Sequence, residues 1–183
     1  MKAVVCLMVA QFLIAFTPCG AQDRALKLDL VSARVRPGAP VFVNAMLTNP
    51  AGAPVQAISQ NIQFPPELVF TQARLGIAGN LAAASLSLEM KDKAGVKVEK
   101  KEAARSLHLT ISAKQPLHEG PLVELEFRLA DSKEQTIRLT HSAEAQDGQG
   151  KKIELVFSDT EVVVSEEIGS EPRPAIGCFF FTH

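Results

Sequence analysis

Few residues in this chain have the type and spacing for chemistry. Its four histidines are His108, His118, His141 and His183. None is paired at the H-E-x-x-H spacing that sets two imidazoles on one metal. His108 falls on the polar phase of an alternating run, His118 in a turn, and His141 at the end of a strand. Glu124 and Glu126 stand two apart, roughly 6.5–7 Å along an extended backbone, within the range of a glycosidase acid–base pair. Such a pair needs something to hold a sugar ring, and the chain has ten Phe but no Trp and no Tyr. There is no G-x-S-x-G elbow, phosphate-binding loop or G-x-G-x-x-G turn. Asp147-Gly148-Gln149-Gly150 offers one obvious side-chain donor, whereas calcium takes roughly six to eight oxygens, so it reads as a hairpin turn. These residues predict no enzyme, no cofactor and no metal.

Charge points away from nucleic acid. Lys and Arg total 19 and Asp and Glu total 20, a net of −1, which provides no basic field to neutralise phosphates. Hydrophobic residues make up 46% and charged residues 21%, the balance of a globular chain rather than a disordered one.

Residues 1–21 read as an address. Lys2 precedes an apolar run from Ala3 to Phe16, Pro18 breaks it, and the small residues Gly20 and Ala21 follow. That is the order of a secretory signal peptide, with cleavage expected between Ala21 and Gln22. The run is shorter than the roughly 20 residues a spanning helix needs, so no transmembrane segment is expected after cleavage. Cys6 and Cys19 would leave with the signal, and Cys178 alone would remain. The exported domain then has no internal disulfide and must stand on its core.

The elements that position the remaining side chains are strands. Leu26, Leu28 and Leu30 alternate with polar residues, as do Leu86 to Met90, Val96 and Val98, Leu107 to Ile111, Val123 to Leu129, and Ile137 and Leu139, while Val41, Val43 and Ala45 alternate with Phe42 and Asn44. Period-two alternation gives each strand one buried face. Turn residues such as Arg36-Pro37-Gly38, Asn49-Pro50 and His118-Glu119-Gly120 separate the runs. Many short strands at near-regular spacing mean a sandwich or barrel. The expected core is Leu28, Leu30, Val43, Ile58, Ile62, Phe64, Leu68, Phe70, Leu107, Leu109, Ile111, Val123, Leu125, Phe127, Ile137, Leu139, Ile153, Leu155, Val162 and Val164. One short helical turn is expected over Leu81 to Ala84, capped by Asn80.

Three stretches together resemble a cohesin domain, the jelly-roll module of cellulosome scaffolds and other exported bacterial proteins. Val35-Arg36-Pro37-Gly38-Ala39-Pro40-Val41 is similar to that family's opening. Gln56 to Phe70 is similar to its strand with an aromatic, here Phe64, before a Pro, here Pro66; Pro65 stands where the family has Asp. Glu119 to Leu129 resembles a third strand, and Ala145 to Val164 its closing segment. The resemblance implies an all-β, jelly-roll β-sandwich of about nine or more strands, covering 22–167. It also implies recognition rather than catalysis: cohesins bind a helical dockerin on one sheet face. The strand matching Ala57 to Gln63 supplies polar contacts there, and two positions usually Asn and Asp are Ala57 and Ser59 here. The outward row is then Ser59, Asn61 and Gln63, and the strand from Leu122 adds Glu124, Glu126 and Arg128. If these strands share a face, it suits a protein partner.

Two other readings stay open. One is a carbohydrate-binding module taking a polysaccharide, as in sister folds, though without Trp or Tyr. The other is a surface component attached through its tail, 168–183, where Pro172 and Pro174 make a stiff spacer before Cys178-Phe179-Phe180-Phe181. Cys178 is its candidate attachment atom, and a fold-back of the Phe triplet into a groove is the purely structural alternative. The Lys-rich run from Lys91 to Arg105 reads as a solvated edge hairpin. All readings share a secreted location: extracellular, cell surface or periplasm.

Overall fold

In the computed structural model the described residues are 25–91 and 105–166, apart from 132 and 134. The expected signal segment with its Ala21/Gln22 junction, residues 92–104 of the Lys-rich run read as an edge hairpin, and the tail with Cys178 and His183 lie outside them.

Eleven strands and one helix follow in order among these residues: β1 (Lys27–Ser32), β2 (Val41–Thr48), β3 (Ala57–Phe64), β4 (Leu68–Leu75), α1 (Ile77–Leu81), β5 (Ser85–Lys91), β6 (Arg105–Ser112), β7 (Gly120–Leu129), β8 (Gln135–Gln146), β9 (Lys152–Ile153), β10 (Val156–Ser158) and β11 (Thr160–Val164). They form two sheets, β10-β1-β2-β7-β4 and β11-β8-β3-β6-β5, with β9 added to β8. The all-β sandwich expected from the alternation is the observed architecture.

The inner faces meet in one core. Leu28, Val43, Leu68, Leu125 and Phe127 come from the five-stranded sheet, and Ile58, Ile62, Phe64, Leu109 and Leu139 from the other; all are buried. Phe64 and Phe127 touch edge-to-face across the two layers, with centroids 5.2 Å apart, and Phe70 adds a second edge contact at 5.7 Å. Such pairs contribute about 0.5–1.5 kcal/mol beyond their buried area. Of the expected core, Phe70, Ile153 and Leu155 are only half-buried against it.

The helix begins earlier than the sequence suggests. It starts at Ile77 after Gly76, and Asn80 lies inside it, its amide donating to the Leu75 carbonyl at 3.1 Å. The cause is packing rather than capping. A Cβ at Gly76 would sit 2.3 Å from the Pro121 carbonyl oxygen, so glycine lets α1 approach β7. The helix closes with Ala83 N–H donating to Asn80 C=O and Ala84 N–H to Gly79 C=O, both at 3.0 Å. Ala83 has φ +48°, the left-handed position glycine usually fills in this C-terminal motif.

Candidate interaction faces

β3 lies centrally in the six-stranded sheet, between β6 and β8. Its odd residues Ala57, Ser59, Asn61 and Gln63 point outward, while Ile58, Gln60, Ile62 and Phe64 are buried. Strand register turns this row into a carpet. Ser59 pairs with Thr110 on β6 and Glu144 on β8; Asn61 pairs with His108 and Ser142; Gln63 pairs with Ser106 and Thr140. Farther out, Ser85, Ser87 and Glu89 of β5 stand beside Ser112, Thr110 and His108. Most of these side chains are neutral hydroxyls and amides. His108 does point outward, as expected, with Nε2 3.5 Å from Ser59 Oγ. Glu144, directly beside Ser59, is matched by Lys152 at 3.0 Å, both well exposed, a pairing of little energetic weight.

Glu124, Glu126 and Arg128 are on β7, in the other sheet. This corrects the expectation of one shared face: the sheets pack roughly 10 Å apart with outer surfaces facing opposite ways, so these residues cannot join Ser59, Asn61 and Gln63. Nor do the two glutamates form a free catalytic pair. Arg74 of β4 reaches Glu124 at 2.7 Å and Glu126 at 3.8 Å, and the Gln72 amide donates to Glu126 at 2.6 Å. Arg128 is exposed opposite Val69. This second face also shows Val31 and Phe42 to solvent.

His141 does not end a strand. It lies within β8 on the inner phase and is 6% exposed. The Ser158 carbonyl can only accept, so the 2.8 Å contact fixes the proton on Nε2. Nδ1 then accepts from the Gln60 amide at 2.7 Å. Phe157 meets the ring edge-on at 5.2 Å, and Asp159 accepts from the His141 backbone N–H and from Arg138. Burial pushes the imidazole pKa below its usual 6.5, against the opposing pull of the Ser158 carbonyl and the Asp159 and Asp29 carboxylates. The cluster ties the six-stranded sheet to β10 of the other. Sequence reasoning missed it, although His141 keeps phase with Ile137 and Leu139, and Gln60 with Ile58 and Ile62.

The Asp147 turn is closed from within: Oδ1 accepts the N–H groups of Gln149 and Lys151, each at 2.9 Å. No group of three or more candidate metal ligands gathers among the described residues. No helix among them is long and apolar enough to cross a membrane.

No protein-family model matches the chain, and no curated protein does. Solved structures do. A non-cellulosomal cohesin from Archaeoglobus fulgidus superposes with a TM-score of 0.61 at 15% identity, covering 79% of this chain and 94% of its own. A type I cohesin from Clostridium thermocellum, solved in complex with a dockerin, gives 0.61 at 13% identity, covering 77% and 99%. A cohesin module from a Clostridium perfringens family 33 glycoside hydrolase gives 0.56 at 14%, covering 77% and 97%. The fold is therefore that of cohesin modules.

Proposed function

We propose that this chain is an exported, noncatalytic binding module that docks a protein partner on the outer face of β8, β3, β6 and β5. The observation that carries this reading is the flat, mostly neutral carpet around Ser59, Asn61 and Gln63. Neutral hydroxyls and amides cost less to desolvate than charged groups, provided a partner hydrogen-bonds them, and leave few charges to strand unpaired. The cohesin fold and the dockerin bound to one such neighbour support it. With Ala57 and Ser59 at positions the family usually fills with Asn and Asp, the partner differs from ordinary cellulosomal dockerins. Glu124, Glu126 and Arg128 are not part of this face. Export rests on residues 1–21, and the secreted form would begin at Gln22.

The test measures binding to a panel of purified dockerins and to proteins secreted by the producing cell. Ser59→Arg with Asn61→Arg should abolish capture, while Arg128→Glu on the opposite face leaves it intact. Capture insensitive to the first pair overturns the reading.

A further inference from the structure

An open groove of about 530 Å³ lies at the margin of the five-stranded sheet, lined by Gly38, Pro40, Val69, Phe70, Thr71, Glu126, Phe127 and Arg128. Its accessible apolar part is Phe70, Val69 and Pro40, laid over the buried Phe127, and exposed Phe42 stands beside it, paired in register with Glu126. The chain leaves the described structure next to the same loop. Ser165 N–H donates to the Val35 carbonyl and Val35 N–H to the Val163 carbonyl, both at 3.0 Å. Gly38 and Pro40, which form one wall, follow Val35 by only three and five residues.

We infer that this groove is the seat of the chain's own Phe179-Phe180-Phe181. Three adjacent phenyl rings are costly to leave in water, and the half-buried Phe70 ring offers them an aromatic edge in the groove. Reach is ample: the thirteen steps from Glu166 to Phe179 span about 43–47 Å extended, and Pro172 and Pro174 favour extension. Among the other exposed apolar side chains, Leu88 and Met90 of β5 lie at the far edge of the six-stranded sheet from the exit at β11, and Ile77 and Leu81 of α1 and Val156 and Phe157 of β10 stand outside this groove. The tail on this groove leaves the proposed docking face open, so the inference stands apart from that reading.

Disulfide trapping tests it in the full chain with Cys6→Ser and Cys19→Ser, using Cys178 as the reporter. Thr71→Cys sets a thiol at the groove. Thr136→Cys sets one on the opposite face beside Val163, closer to the exit. In a glutathione buffer the Thr71→Cys chain should close an intramolecular bond to Cys178 at least tenfold faster than the Thr136→Cys chain. Replacing all three Phe by Ala should erase that preference. Equal or faster trapping at position 136, indifference to the Phe replacements, or linked dimers in place of closed monomers overturns the inference. Both positions are exposed, so folding does not confuse the result.

Discussion

Gln60 of β3 donates its amide to His141 Nδ1 of β8 at 2.7 Å, inside a sandwich otherwise filled with aliphatic and phenyl groups. In this arrangement Nδ1 accepts and the imidazole is neutral. Burial is the largest influence and lowers the pKa from 6.5 in the folded state; the Ser158 carbonyl, Asp159 and Asp29 pull the other way. The unfolded chain therefore takes up this proton first as pH falls. Stability from the site is complete above about 6.5 and is lost as pH drops from there through the lowered folded value. Urea unfolding between pH 7.5 and 5 should show decreasing stability, and His141→Leu should remove that part of the slope. An unchanged slope in the variant would contradict the assignment.

The same pair behaves as a unit in a double-mutant cycle. Gln60 Oε1 already lacks a hydrogen-bond partner among the described residues. Removing the ring by His141→Leu strands the amide N–H groups and the Ser158 carbonyl as well, at a cost of about 1–3 kcal/mol. Adding Gln60→Leu removes one stranded group, so the double variant should be less destabilised than the two single losses summed. Strict additivity, read from urea midpoints at constant m-value, would mean the two side chains do not act together.

Two small residues frame the helix with opposite expectations. Ala83 sits at φ +48° after α1, where an L side chain costs about 1–2 kcal/mol and glycine does not. Ala83→Gly should raise stability by about 1 kcal/mol, with part of the gain lost to unfolded-chain entropy. Gly76→Ala should lower it by about 1–3 kcal/mol, because the new methyl meets the Pro121 backbone rather than a yielding side chain. Thermal unfolding of the two variants checks both signs.

What the sequence conveys here is local. Alternation along Val123 to Leu129 or Leu107 to Ile111 states which side chains face inward, and the buried residues follow it. It also placed Gln60 and His141 on the inner phase, but their polar identity masked the signal until partner geometry was visible. Which sheet a strand joins is not local. β3 and β7 look alike as outward-polar strands, and only pairing with partners as far as 89 residues away, as Ala57 with Gln146, separates Ser59 from Glu124. Gly76 belongs to the same class, since its reason is Pro121, forty-five positions later.

The opposed chemistry of the two faces gives the docking reading a physical signature. On one face Arg74 neutralises Glu124 and Glu126, so charge is present and a partner there would meet ions that salt screens. On the other, Ser59, Asn61, Gln63, Thr110 and Ser142 carry none, and the carboxylate beside Ser59, Glu144, is paired with Lys152. Association through these neutral groups relies on shape, hydrogen bonds and released water rather than long-range steering. Affinity for the captured partner should therefore change less than about threefold between 50 mM and 500 mM NaCl, whereas Ser142→Arg, which buries a charge in the carpet, should weaken it more than tenfold. Steep loss with salt, together with tolerance of Ser142→Arg and sensitivity to Glu124→Arg, would move the docking surface to the five-stranded sheet.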